Sequence, residues 1–155
     1  METGVSRKMD LALQLFSLHD ELRENPHGTL DWVVSQGFTS VEVAGFTHLG
    51  AIKFANELHR RDLSCVGIHG PCVEVYQQID KFTHWCRRMT HLFACNSVVV
   101  FRDPESMGNR EHYPESELSY YDRLAGVLAD VCNELSGDGI RIVFNIPLNY
   151  WFPRI

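Results

Sequence analysis

Five short apolar runs recur along the chain at similar intervals, and helical patterns separate most of them. The runs cover residues 11–16, 40–44, 64–68, 97–101 and 140–145. Each is rich in branched or apolar side chains and is followed by turn-forming residues, which is typical of buried strands. Strands that alternate with helices pair in parallel through right-handed crossovers. The sequence therefore predicts an α/β fold of about five parallel strands and four helices.

Two of the predicted helices carry an apolar stripe with steps of three and four residues. The stripe of the first consists of Ile79, Phe82, Cys86, Met89 and Phe93. The stripe of the second consists of Leu118, Tyr121, Ala125, Leu128, Cys132 and Leu135. Gly137 and Gly139 follow the second helix and predict its end. Two shorter helices are predicted over residues 29–36 and 50–61.

The composition is that of one folded domain. The chain has 155 residues, of which 45% are hydrophobic and 22% charged. These values lie far from the low hydrophobicity and high charge of disordered segments, and the length suffices to bury a core. We therefore expect a single domain over residues 1–155.

The charge balance argues against polyanionic partners. The formal net charge is −6, from 14 basic and 20 acidic residues. Such a chain has no broad positive field for a nucleic acid or an anionic membrane. Two basic pairs, residues 60–61 and 87–88, fall in predicted helices, where we expect solvated faces without a function.

The five cysteines are odd in number and lie mostly within apolar periodic runs. We interpret them as reduced core residues. No apolar stretch approaches the ~20 residues that cross a bilayer, and the first residues lack the apolar region of a secretory signal. The expected location is the cytoplasm.

Two α/β architectures fit this order of elements: a doubly wound sheet of flavodoxin or receiver type, and part of a (βα)8 barrel. A nucleotide or flavin fold needs a glycine-rich or hydroxyl-rich phosphate-binding turn after the first strand. Here that turn, residues 17–21, is acidic and has no glycine, and neither G-x-G-x-x-G nor a Walker sequence occurs. A receiver domain would close its first strand with acidic residues, which are absent from residues 13–16. The turn chemistry favours the barrel.

Three polar residues stand where a parallel barrel has its chemistry. Glu42 lies between two valines in a short strand, so its side chain is predicted on the opposite face, where an unpaired carboxylate would be costly. Gln14 occupies the equivalent place in the first strand. His69 closes the third strand, at the carboxyl end where barrel enzymes bind substrates. Each also has a structural interpretation: a buried hydrogen bond for Gln14, a bonded strand-end carboxylate for Glu42, and a packed imidazole for His69.

The spacing Cys65-x3-His69-x2-Cys72 is compatible with zinc at first sight. However, Cys65 and His69 are four residues apart in a strand, or ~13 Å, whereas zinc ligands lie about 2 Å from the ion. We reject a zinc site there and assign no metal ligand.

Four segments resemble one enzyme family in sequence and in order. They are Q-L-F-S-L-H-D-E-L at residues 14–22, N-P-H-G-T-L at 25–30, G-F-T-S-V-E-V-A-G at 37–45 and G-I-H-G-P at 67–71. They resemble the xylose-isomerase-like sugar phosphate isomerases and epimerases, and the resemblance covers nearly the whole chain. Complete barrels of this kind have ~250 residues. The resemblance thus implies an incomplete TIM barrel, corresponding to the amino-terminal part of the family fold.

The family resemblance also implies a function and a pocket. It implies isomerisation between aldose and ketose, or epimerisation, of a sugar or sugar phosphate by metal-assisted proton transfer. The implied pocket residues are Gln14, Glu42, His69 and Asn145, with no catalytic residue assigned. Full-length members use a divalent metal such as Mn, Mg, Co or Zn, held by later strands that this chain lacks, so we expect none here. The family's polar run after the fifth strand is reduced to Asn145 and Asn149.

Two alternatives stand beside the enzyme. A half-barrel leaves strand edges and an apolar face without partners, which favours a non-catalytic protein that acts by self-association or partner binding. The chain would also fit a truncated, inactive product. We expect a homo-oligomer, with residues 150–153 covering the open face or forming a subunit contact, and a small sugar or sugar phosphate as ligand.

Overall fold

The computed structural model describes residues 11–45, 48–70, 78–101 and 117–145. Cys72, Asn149 and the segment 150–153 lie outside these ranges. The strands are β1 (Ala12–Gln14), β2 (Ser40–Val43), β3 (Ser64–His69), β4 (Ser97–Phe101) and β5 (Arg141–Asn145). The helices are α1 (His19–Glu24), α2 (Pro26–Ser35), α3 (Gly50–His59), α4 (Ile79–Leu92) and α5 (Glu117–Leu135). Short 3-10 turns cover Leu15–Leu18 and Ser136–Asp138.

The five strands form one open sheet in the order β1-β2-β3-β4-β5. The pairs β1–β2, β3–β4 and β4–β5 are parallel. This order confirms the predicted succession and contradicts the flavodoxin-like order 2-1-3-4-5. The acidic turn predicted at residues 17–21 includes the start of the short helix α1, which was not predicted. Within the described ranges, no helix is both long and apolar enough to cross a membrane.

The contacts divide the chain into two compact units, Met1–Val66 and Gly67–Ile155. In the first unit, the valines of β2 are fully buried, and so are the inner faces of α2 and α3. The buried apolar side chains are Leu15, Leu22, Leu30, Val33, Val41, Val43, Phe54, Ala55, Leu58, Leu63 and Cys65. Since a sheet buries its apolar face under helices, this core forms between β2 and the helices of the unit.

Local sequence sets the limits of α2. The Asn25 side chain accepts a hydrogen bond from the Gly28 backbone N–H at 3.0 Å, and Pro26 occupies the first turn, where its missing N–H costs nothing. The helix ends before Gly37, which has φ +85°. Glycine adopts this left-handed conformation without strain. The helix thus begins three residues before the predicted start.

In the second unit, α4 buries the predicted stripe against the sheet. Phe82, Cys86, Met89 and Phe93 are buried there, as predicted. Burial raises the pKa of the Cys86 thiol to about 12, because the apolar core disfavours the thiolate. Cys86 is therefore a thiol of the core at neutral pH.

The predicted stripe of α5 is confirmed at Leu135 and wrong at Ala125 and Cys132, and the side chains of Leu118 and Tyr121 lie outside the described residues. Leu124, Val131 and Leu135 are buried, whereas Ala125 and Cys132 are exposed. Both sets have helical spacing, so periodicity alone could not distinguish them. Packing against α4 selects the set with the larger branched side chains. Cys132 is therefore a surface thiol and not a core residue.

The basic pairs are not simply solvated helix faces. The side chain of Arg61 is only 14% exposed and forms ion pairs with Glu57 at 2.7 Å and with Asp31 at 2.7 Å. Arg87 forms ion pairs with Glu134 and Asp138 and connects α4 to the end of α5. The expectation of a solvated face was wrong for these two residues, because acidic partners from other turns and helices face them.

Candidate functional site

Gln14 and Glu42 are directly opposite each other in the β1–β2 pair. The Gln14 side-chain amide Nε2 donates a hydrogen bond to Glu42 Oε1 at 2.6 Å. Both residues are half-buried and stand at or next to the carboxyl ends of their strands. The structure therefore brings together two of the four predicted pocket residues.

Strand alternation places this pair on the side of β2 away from its core. Val41 and Val43 are fully buried, whereas Ser40 and Glu42, which alternate with them along the strand, are half-exposed. The Ser40 hydroxyl lies 2.8 Å from the Ser64 hydroxyl. Ser64, the first residue of β3, therefore lies on the same face of the sheet as Ser40 and Glu42. The predicted orientation of Glu42 opposite its two valines is confirmed.

A carboxylate held by an amide is suited to polyhydroxylated ligands. Both carboxylate oxygens of Glu42 can accept hydrogen bonds from hydroxyl groups, and the Gln14 carbonyl can accept others. The bond between them fixes the Glu42 side chain before any ligand arrives. Such preorganisation lowers the entropy cost of binding.

His69 is the last residue of β3 and lies in register with Val99 of β4, which in turn faces Val143 of β5. Residues opposite each other in parallel strands share a face, so His69 stands on the face of Val143, which is 45% exposed. His69 itself is half-buried. The third predicted residue thus lies at the carboxyl end of β3, on the face of the second unit that carries Val99 and Val143.

Gly70 explains how the chain leaves β3 at this point. Its backbone N–H donates to the Val99 carbonyl at 2.8 Å. A side-chain carbon at Gly70 would lie 3.0 Å from Val98 Cγ1, 3.2 Å from Phe82 Cε2 and 3.4 Å from Trp85 Cζ3. Only glycine fits without displacing these side chains. The close packing under Gly70 fixes the position of His69.

Asn145 is the last residue of β5, in register with Phe101, and is exposed. It lies two residues after Val143 and so shares its face and that of His69. Asn145 and His69 therefore project from one side of the second unit, at the carboxyl ends of their strands. The convergence of all four residues on one pocket remains a prediction, because Gln14 and Glu42 belong to the other unit.

A second polar cluster, which the sequence analysis missed, lies between α2 and α3. Glu57 is buried and accepts hydrogen bonds from Arg60, Arg61 and, at 2.9 Å, from the Nδ1 position of His27. The guanidinium of Arg61, together with His27 and Arg60, lowers the pKa of Glu57 from 4.5 to about 2. The spacing of Glu57 and Arg61, four residues apart on a helix, was a signal for this contact.

The described residues do not form a metal centre. In the four ranges that the structure describes, no three His, Cys, Asp or Glu side chains come together as a set of metal ligands.

Comparison with known proteins identifies relatives by structure and not by sequence. No protein-family model and no curated protein sequence matches the chain. A sugar phosphate isomerase/epimerase from Parabacteroides distasonis is similar in structure, with a TM-score of 0.67 at 15% identity. The match covers 97% of this chain and 56% of that protein, so the chain spans about half the length of its structural relative.

An AP endonuclease of family 2 from Brucella melitensis is similar as well, with a TM-score of 0.57 at 13% identity, over 73% of this chain and 46% of that protein. At these identities the likeness establishes the fold alone. The chain therefore has the fold of part of a TIM barrel, with strands in sequential order and helices between them.

Proposed function

We propose that the chain binds a sugar or sugar phosphate at the carboxyl ends of its strands and is related in function to sugar phosphate isomerases and epimerases. The hydrogen-bonded pair of Gln14 and Glu42 carries this proposal. Carboxylate and amide groups on the open side of parallel strands are what a polyhydroxylated ligand requires. The isomerase/epimerase with a similar fold supports the choice of substrate class by analogy.

The nuclease with a similar fold suggests a different ligand, the phosphodiester backbone. Charge favours the sugar. Backbone binding requires several cationic contacts, and this chain carries a net charge of −6. Gln14 and Glu42 add a carboxylate to the candidate site, which accepts hydrogen bonds from sugar hydroxyl groups.

The role of each residue follows from its position. Gln14 holds the Glu42 carboxylate in one orientation, and Glu42 binds ligand hydroxyls. His69 and Asn145 offer donors and acceptors at the strand ends of the second unit. Isomerisation itself is proposed from the analogy of fold and without an assigned proton-transfer residue.

Calorimetric titration with aldoses, ketoses and their phosphates tests this function. Gln14→Met and Glu42→Gln each remove a hydrogen-bonding or charged group at nearly constant size. Because hydrogen bonds to charged groups contribute about 1.5–3 kcal/mol, we expect each change to weaken sugar binding by about tenfold or more. Gln36→Met, at an exposed residue after α2, is the matched control and should bind as the parent does.

Two results would contradict the proposal. One is the absence of saturable binding for every sugar and sugar phosphate. The other is a bound sugar whose affinity is the same in the parent and in both site variants.

A second candidate is a non-catalytic half-barrel that associates with itself. Several large apolar side chains of the described residues are exposed, among them Leu11, Phe16, Val66 and Val143. In the described sheet, β1 and β5 are the edge strands. The exposed backbone groups of an edge strand can pair with a strand of another chain. Light scattering at micromolar concentration distinguishes the candidates: a dimer or larger species without sugar binding favours association. A monomer without sugar binding would favour the inactive truncated product.

A further inference from the structure

A cavity of about 620 Å³ lies in the first unit, where the first turn of α2 faces α3. Its walls are formed by His27, Leu49, Lys53, Asn56, Glu57, His59 and Arg60. Four of these seven side chains are cationic or become cationic on protonation. This is a local excess of positive charge on a chain with a net charge of −6.

The only acidic group in the wall is already neutralised. Oε1 of Glu57 accepts from Arg60 at 3.0 Å, and Oε2 accepts from Arg61 at 2.7 Å and from His27 at 2.9 Å. Arg61 lies behind the carboxylate, outside the wall, and also pairs with Asp31. In this network the carboxylates of Glu57 and Asp31 balance the guanidiniums of Arg60 and Arg61. The charge of Lys53 is left in excess, and the Arg60 guanidinium also faces the cavity.

The same contacts build the site in advance. Glu57 holds the Arg60 guanidinium through one N–H, so the side chain of Arg60 is oriented while its remaining N–H groups stay available for a ligand. The bond between Glu57 and His27 ties the start of α2 to α3. Oriented donors lose less entropy on binding than freely rotating ones.

We propose that this cavity binds the phosphate group of a small phosphorylated compound. A guanidinium and an ammonium are the side chains that bind phosphate best, the first through its fork of donors and the second as a point charge. The Asn56 amide adds a neutral donor, and Leu49 offers an apolar wall to the carbon part of the ligand. The volume lies in the range of small-molecule sites, about 300–1,000 Å³.

This site is separate from the one assigned above. The cavity is lined from the helix layer, by residues of α3 that flank the buried Phe54 and Leu58. Gln14 and Glu42 stand on the other side of β2, opposite its buried valines. The inference therefore goes beyond the proposed function and does not depend on it.

The test is stabilisation by inorganic phosphate in thermal unfolding at low ionic strength, with chloride at equal ionic strength as reference. A ligand that binds only the folded state raises Tm in a saturable manner. We expect such a rise for the parent protein. Lys53→Gln and Arg60→Gln should each weaken the apparent affinity by about fivefold or more. Both side chains are exposed, and circular dichroism checks that the variants remain folded.

The control is Arg88→Gln, which removes an equal charge from an exposed position of α4 and should leave the phosphate effect unchanged. Gln14→Met and Glu42→Gln should also leave it unchanged, which separates this inference from the proposed function. The proposal is overturned if phosphate stabilises no more than chloride does, or if the two cavity variants respond as the parent does. A short single-stranded oligonucleotide that competes more strongly than a sugar phosphate would also overturn it, in favour of a phosphodiester site.

Discussion

Gln14 donates a 2.6 Å hydrogen bond to Glu42 across the first two strands of the sheet, 28 residues apart along the chain. The bond joins a side-chain amide of β1 to a carboxylate of β2. It gives the open side of these strands a fixed polar group. The bond should therefore be measurable in stability as well as in ligand binding.

A double-mutant cycle of Gln14→Met and Glu42→Met measures this bond, because the first change removes the donor and the second removes the acceptor oxygens. We expect a coupling free energy of about 1–2 kcal/mol in urea unfolding, below the full value for a buried charged bond because both side chains are half-exposed. The control cycle combines Gln14→Met with Asp130→Asn, an exposed residue of α5, and should give no coupling. A coupling near zero in the first cycle would show that the bond contributes nothing in solution.

The Glu57 carboxylate should make the first unit sensitive to acid. Its pKa falls from 4.5 to about 2 in the folded chain, chiefly through the hydrogen bond from Arg61. A depressed pKa stabilises the folded state above the unfolded value, and this stability is lost as the pH falls from about 4.5 through about 2. Glu57→Gln should therefore be less stable than the parent at pH 7, and the difference should shrink over that window.

Denaturant unfolding at several pH values measures this difference. Glu24→Gln, at an exposed residue at the end of α1, is the control and should differ little from the parent throughout. If the gap between the parent and Glu57→Gln stays constant down to pH 2, the ion pair does not stabilise the fold in this way.

Two cysteines should differ sharply in reactivity. Cys86 is buried, and its pKa is raised to about 12, so its thiolate is scarce at pH 8, whereas Cys132 is exposed. We expect N-ethylmaleimide to label Cys132 within minutes and Cys86 only under denaturing conditions. Peptide mass spectrometry measures both rates. Equal labelling of the two cysteines in the native protein would contradict the burial of Cys86 on α4 or the exposure of Cys132 on α5.

Gly70→Ala tests the packing that fixes His69. The added carbon meets Val98 and Phe82 at 3.0–3.2 Å, which is overpacking and should cost about 1–3 kcal/mol. Gly137→Ala is the control, since a carbon there meets nothing within 4 Å. Urea unfolding compares the two, and an unchanged stability of Gly70→Ala would mean that β3 ends elsewhere.

The sequence predicted the fold more fully than the site. The order of the strands followed from alternating apolar runs and from the acidic turn after β1, and the orientation of Glu42 followed from its two valines. The partner of Glu42 did not follow. Periodicity predicts which face of the sheet a side chain occupies. It does not predict which residue of the next strand lies opposite, because the register of two strands depends on the packing of the whole unit.

The inner face of α5 and the cluster around Glu57 show the same limit. Ala125 and Cys132 have the spacing of a buried stripe, yet the larger Leu124 and Val131 take the core. Glu57 lies beside Leu58 on an inner flank of α3, where a carboxylate is unexpected until Arg61 and His27 are seen to surround it. Side-chain volume and long-range partners decide both cases, and neither is visible in a local window.

The most direct test of the proposed sugar site is chemical-shift mapping with a ketose phosphate on the isotopically labelled protein. We expect saturable shifts at Gln14 and Glu42. Shifts at Lys53 and Arg60 with the same ligand, which inorganic phosphate alone reproduces, would report the cavity between α2 and α3. A titration in which Gln14 and Glu42 do not shift would contradict the sugar site.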